Sequence, residues 1–214
     1  MLLYTYPCGP VEANMFFVAK DGANTVAVVD PSDAELAQSI LKENGWTLSD
    51  ILITHRHFDH LLGAAALKEA TGATVYISEA DACGLRSSLH SLSMAMRITI
   101  TPTEPDVLLH GGDTFEAAGL RFRVLETPGH TAGGITFVCD DERCAFVGDT
   151  LFRDGYGRYD LPTGDLEALT RSIRAVLFAL PDDYRLYPGH EDATTVEREK
   201  RLNPINYEGA PWFD

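Results

Sequence analysis

The sequence is poor in cysteine, lacks any long apolar run and is short of positive charge, and each shortage removes a class of function. Only Cys8, Cys83, Cys139 and Cys144 occur in 214 residues, and no two are spaced Cys-x-x-Cys. That spacing argues against a zinc ribbon, and a chain of this size does not need disulfides to fold. Cys139 and Cys144 lie in strand-like text and read as buried free thiols. No apolar stretch approaches the roughly 20 residues needed to cross a bilayer. Met1 to Tyr4 carries neither the basic nor the apolar region of a secretory leader, so a cytoplasmic location is expected. Lys and Arg number 17 against 32 Asp and Glu, a formal charge of −15. Nucleic acid and anionic membrane both require a basic face, so neither is an expected partner. A small-molecule substrate is expected instead, and the sequence leaves the oligomeric state open. There is no low-complexity segment or internal repeat, and the length predicts one domain over 1–214.

What is present reads as alternating strands and helices. Residues 14–19 and 25–29 are β-rich runs separated by turn text. A helix is predicted over 34–44, capped by Ser32 or Asp33, with Leu36, Ile40 and Leu41 on one face and Gly45 closing it. A strand over 50–54 runs into His55, helical text covers 61–70 up to Gly72, and a strand covers 74–77. The segment 80–103 reads as an excursion of short helical and Ser-rich text. Strands are then predicted over 114–117, 120–126, 135–139 and 144–147, with Ala118-Gly119 as a hairpin turn. A helix over 166–179, a strand over 185–187 and a helix over 194–202 complete the chain. Two β-rich halves, each finished by helices, predict two sheets packed face to face with helices outside.

Thr54-His55-Arg56-His57-Phe58-Asp59-His60 is the most informative segment. Of seven histidines in the chain, three fall within six positions, directly between a buried strand and a helix. Alternation at a strand end points His55 and His57 the same way, toward one metal ion, while Asp59 and His60 face a second beside it. Three further donors stand at strand ends in the second half, each preceded by glycine: His130, Asp149 and His190. The predicted set is His55, His57 and His130 on one ion, Asp59, His60 and His190 on the other, with Asp149 bridging. Imidazole nitrogen and carboxylate oxygen suit zinc first, and iron or manganese also. Two such ions lower the pKa of a shared water toward neutrality, which yields a hydroxide for attack on a carbonyl or phosphoryl centre. His90 and His110 have no such context and are expected at the surface.

These segments, Thr54–His60, Pro128–Thr131, Gly148-Asp149 and Pro188–His190, make the chain similar to the metallo-β-lactamase superfamily, in family order. The resemblance implies an α/β fold, a four-layer αβ/βα sandwich with the metals at the rim between the sheets. Gly148 to Phe152, Gly157 to Asp160 and Glu199 to Pro204 resemble the glyoxalase II branch, whose members hydrolyse glutathione thioesters. The chain ends about 24 residues after His190, like the shorter glyoxalase II-like hydrolases. Where that branch carries a lysine and a tyrosine for glutathione, this sequence has Arg158 and Asp160.

The expected reaction is hydrolysis of a thioester such as an S-2-hydroxyacyl thiol by a metal-bridging hydroxide. Asp59 is assigned to orient the hydroxide, and Arg158 and Tyr159 are candidate substrate contacts. The Arg158–Asp160 pair also reads as a loop brace. Because a thiolate leaves readily, no strong general acid is required, and no further paired carboxylate stands beside the motifs. The same residues resemble those of persulfide dioxygenases, with one iron on His55, His130 and Asp149, and those of lactonases and β-lactamases. Met94, Met96, Phe152, Tyr156 and Tyr159 are candidates for the pocket wall, and the apolar tail Ala210 to Phe213 is expected to dock on the domain or on a neighbour.

Overall fold

A computed structural model describes residues 1–207, so the tail reading at Ala210 to Phe213 lies outside the described residues. The first sheet runs in sequence order through β1 (Leu2–Cys8), β2 (Ala13–Ala19), β3 (Thr25–Val29), β4 (Thr47–Leu52), β5 (Thr74–Ser78) and β6 (Val107–Leu109). β1, β2 and β3 pair antiparallel, and β3 to β6 pair parallel. The parallel part needs crossovers. Helix α1 (Ala34–Asn44) makes one, and α2 (Phe58–Leu61) with α3 (Ala64–Thr71) makes the next. Asp33, not Ser32, caps α1: its carboxylate accepts from Leu36 N, and Gly45 ends the helix in the left-handed conformation.

The second sheet has the order β14 (Thr194–Thr195), β13 (Arg185–Pro188), β10 (Cys144–Gly148), β9 (Ile135–Cys139), β8 (Leu120–Glu126), β7 (Thr114–Ala117). A small hairpin, β11 (Leu151–Phe152) with β12 (Gly155–Tyr156), follows β10. The predicted helix 166–179 is α4 (Leu166–Arg171) continued by a π turn over Ser172–Val176 and a 3-10 turn over Leu177–Ala179. Helix α5 (Val196–Leu202) closes the element order apart from a short 3-10 turn. Among the described residues no helix is long and apolar enough to cross a membrane.

Alternation along the strands builds the layers. Phe137 of β9 and Phe146 of β10 point into the core between the sheets, where Phe16 of β2 meets Phe146 with ring centroids 5.2 Å apart. Their neighbours Val138, Ala145 and Val147 point the other way, onto Leu169, Ile173 and Leu177 of the α4 segment and Val196 of α5. Both faces of each sheet are therefore covered, and all seven residues of β2 are buried. The result is the expected mixed α/β sandwich, with helices outside two stacked sheets. The loops that leave β4, β8, β10 and β13 converge on one edge of that sandwich.

Candidate metal centre

The loop after β4 carries the first donors. His55 and His57 leave it with ring centroids 4.8 Å apart, while Arg56 between them points away. The backbone then turns into α2, whose start is His57 and whose single turn presents Asp59 and His60. His130 arrives from the loop between β8 and β9, Asp149 from the end of β10 and His190 from the end of β13. All seven predicted residues meet. Three groups of donor atoms each lie within 4.8 Å of one another: His55, His57 and His130; His55, His60 and Asp149; Asp59, His60 and His190. His90 and His110 stay exposed at the surface.

Asp149 stands between the two halves. His60 Nε2 lies 3.4 Å from its Oδ1, and Oδ2 is approached by His130 at 3.5 Å and His190 at 3.6 Å. Asp59 Oδ2 lies 3.3 Å from His190 Nε2 and 3.4 Å from His60 Nε2. Donors around a tetrahedral ion at about 2.1 Å are separated by roughly 3.4 Å, the spacing seen here. His57 Nδ1 and His130 Nε2 are closer, at 2.8 Å. Four buried atoms of the cluster, His55 Nε2, His57 Nε2, His60 Nε2 and Asp149 Oδ1, have no hydrogen-bond partner. Buried polar atoms left unpaired are costly, and native proteins keep few. Lone pairs gathered at this spacing fit divalent cations.

Protonation follows from the same crowding. Burial first, and then the neighbouring imidazoles, hold His55 well below its ordinary value and His57 down at about 2. Both are neutral, as ligation requires. Burial opposes charge on His60 too, but Asp59, Asp149 and Asp30 outweigh it and raise its pKa strongly. At His190 burial is again outweighed, by Asp59 and Asp149, and its pKa rises. Burial would raise the Asp59 carboxyl, yet His60 and His190 keep it well below the carboxylate range. In the metal-free protein, protons on His60 and His190 therefore balance carboxylates that cations would otherwise balance.

Residues that carry no motif orient the ligands. Asp30, fully buried at φ +51°, accepts from Thr54 N at 2.8 Å and Thr54 Oγ1 at 2.7 Å, and its Oδ2 lies 3.0 Å from His60 Nδ1. Thr54 Oγ1 in turn lies 3.0 Å from His55 Nδ1. Each ring thus donates its Nδ1 proton away from the centre and turns Nε2 inward. His130 Nδ1 donates to the Arg158 carbonyl at 2.7 Å with the same effect. Asn14 ties down the His190 loop, donating from Nδ2 to the carbonyls of Pro188 and Glu191 and from its backbone N to that of Gly189. No local feature of the sequence marks these roles. Asp30 reads as a helix lead-in and Asn14 as the start of a strand.

A cavity of about 740 Å³ opens on the cluster. Val11, Phe58, Leu92, Met96, Phe152 and Leu161 line it, so the excursion after β5 supplies part of its wall. Of the expected wall residues, Met96 and Phe152 are there. Met94 is exposed at the surface, and Tyr156 is buried in the core under α4. Arg158 lines the cavity while its guanidinium holds Asp160 through two hydrogen bonds of 2.9 and 2.8 Å, which is the loop brace. Tyr159 is a correction: its half-buried ring packs against the core under α4 and does not line the cavity. Glu12, Glu191 and Asp192 also line the wall. Asp192 is held by Arg153 at 2.9 Å.

The family model described as Metallo-beta-lactamase superfamily matches residues 8–190. A probable metallo-hydrolase of Streptococcus pyogenes is 36% identical over 198 residues, 90% of this chain and 84% of the relative. The hydroxyacylglutathione hydrolase GloC of Haemophilus influenzae is 36% identical over 188 residues, 86% and 89% of the two chains. Among solved structures, BLEG-1 B3 metallo-beta-lactamase superposes with a TM-score of 0.90 at 30% identity, covering 95% of this chain and 99% of its own. TTHA1623 in a di-iron-bound form gives 0.84 at 34%, over 94% and 99%. ETHE1 from Myxococcus xanthus gives 0.76 at 30%, over 95% and 84%.

Proposed function

The chain belongs to the metallo-beta-lactamase superfamily, and from that premise we propose that it is a two-metal hydrolase of thioesters of the S-2-hydroxyacyl thiol kind. The observation that carries this reading is the cluster itself: two donor groups, His55–His57–His130 and Asp59–His60–His190, with Asp149 within 3.6 Å of a ring of each, beside a cavity large enough for a small substrate. His55, His57 and His130 would hold one ion, Asp59, His60 and His190 the other, with Asp149 between them. When bound, two such ions supply Lewis acidity and a water made acidic enough to be a nucleophile near neutral pH. Zinc is the ion we assign first, with iron or manganese as the alternatives the same donors accept.

The residues of the chain do the rest. Asp30 and Thr54 fix the inward tautomers of His60 and His55, and the Arg158 carbonyl fixes that of His130. Asp59, ionised and beside His190, is placed to orient the nucleophile toward a carbonyl carbon. The apolar wall of Phe58, Leu92, Met96 and Phe152 suits the body of a thioester. The thiolate departs without a strong acid, so the wall carboxylates need not donate a proton. Likeness to GloC supports the thioester over other acyl substrates, while Arg158, held by Asp160, leaves the thiol carrier to be identified by assay.

A persulfide dioxygenase reading is the second one that a specific observation favours, the similarity to ETHE1. Metal quantitation on the purified protein, followed by thioester, lactone, β-lactam and persulfide assays on that sample, separates the two. About two ions per chain with thioester turnover is the expected result. One iron per chain with oxygen uptake on persulfide would replace it.

A further inference from the structure

Asp81 sits in the 3-10 turn that follows β5, fully buried, and is not a member of the ligand cluster. Its carboxylate faces two ligand loops at once. Oδ2 accepts from Arg56 N, between His55 and His57, at 3.1 Å, and from Thr131 Oγ1, next to His130, at 2.6 Å. Oδ1 accepts from Gly133 N at 3.1 Å and lies 3.8 Å from Arg56 Nε. Ser78 completes the joint by donating to the Gly133 carbonyl at 2.5 Å while accepting from Asp81 N at 3.2 Å. The fit admits no extra carbon: a Cβ at Gly133 would stand 2.6 Å from Asp81 Cγ. His57 and His130, the two rings flanked by these contacts, meet with Nδ1 of the first 2.8 Å from Nε2 of the second.

A buried carboxylate is expensive unless its lone pairs are met, and here three donors from two loops meet them. Those loops are separated by more than 70 residues in sequence, and the donors of the His190 loop are anchored elsewhere, by Asn14. We propose that Asp81 is a positioning residue for one metal site only: it clamps the His55–His57 loop to the His130 loop and so sets the span of the three-histidine site. The second site, on Asp59, His60 and His190, depends on Asn14 and not on Asp81.

Asp81→Asn keeps the volume but turns an amide NH₂ toward one of the three donors. In competition with a chelator, the variant should lose affinity for one of its two ions by roughly 10–100-fold, the usual effect of removing a supporting hydrogen bond at a metal site. The other ion should bind as before. A cycle of variants assigns the loss. In His190→Ala, which has lost the second site, adding Asp81→Asn should strip the remaining ion; in His57→Ala it should change nothing. Thr131→Val, which removes one of the three bonds, should shift the same ion in the same direction by less, and it serves if Asp81→Asn fails to fold. Equal weakening of both ions, or unchanged affinity in a folded Asp81→Asn, overturns the proposal. Because it takes the two-ion site as given, the unmodified chain is measured alongside. If that chain binds a single ion, the two-ion reading fails, and the clamp stands only if His57→Ala and Asp81→Asn weaken that ion together.

Discussion

Asp149 and His57 occupy different positions in the cluster, and their loss should be felt differently from that of a surface residue. Asp149 is the one carboxylate reached from both halves, and His57 is part of the three-histidine group. His57→Ala or Asp149→Ala should abolish thioester turnover while the far-ultraviolet circular dichroism stays that of the parent. Turnover retained in a folded, metal-poor variant would count against the mechanism. Proton competition gives a second test at this scale. His60 and His190 have raised pKa values, so each binds a proton above the ordinary histidine range and must release it to ligate. Metal affinity should therefore climb with pH and level off only once those raised values are passed. Titration across roughly pH 6 to 8 should show proton release on binding. Affinity flat over that range, with no protons released, would contradict the charge balance drawn here.

Glycine before a ligand serves the elements in more than one way. Gly148 ends β10 at φ +51°, a true left-handed turn. Gly189 is needed for space: a Cβ there would stand 2.1 Å from Asp149 Oδ1 and 2.7 Å from His60 Cε1. Gly189→Ala should lower turnover at least tenfold, about 1.4 kcal/mol of barrier, and weaken the second ion while leaving the secondary structure intact. An alanine variant with full activity would show that the end of β13 can shift without cost. Elements with a local signature were legible in the sequence. Helix α1 was, through its apolar face and its terminal signals. Strand β1 was not, because Tyr4, Thr5 and Pro7 are exposed and its order comes from pairing with β2, Leu2 opposite Ala19. The 166–179 helix reads as continuous, yet Ser172 donates to the Pro128 carbonyl at 2.7 Å at the start of the π turn, below the His130 loop. The seven ligands were legible because each follows a buried strand closely, in the loop after it or in the short helix α2. Asp30, Asp81 and Asn14 were not, since their partners lie 24, 50 and 174 residues away and their roles exist only once the loops meet.

For the whole molecule, the metal centre is also a seam. Donors from both sheets meet at one edge, so ions bound there tie the halves together in addition to serving the reaction. Ligands that bind only the folded state stabilise it by mass action, about 2.7 kcal/mol per site at a hundredfold excess over the dissociation constant. Chelation should therefore lower the thermal midpoint, and restoring metal should return it. His57→Ala should recover only part of the shift. An unchanged midpoint after complete removal of metal would mean that the centre contributes nothing to holding the sheets together.

The central claim is that two adjacent cations sit among seven named side chains. The most direct measurement is an anomalous difference map from crystals of the metal-loaded protein, recorded at the absorption edge of the ion. The account predicts two peaks roughly 3.5–4 Å apart, one among His55, His57 and His130, the other among Asp59, His60 and His190, with Asp149 touching both. A single peak, or two peaks that leave Asp149 or His190 uncoordinated, would contradict it.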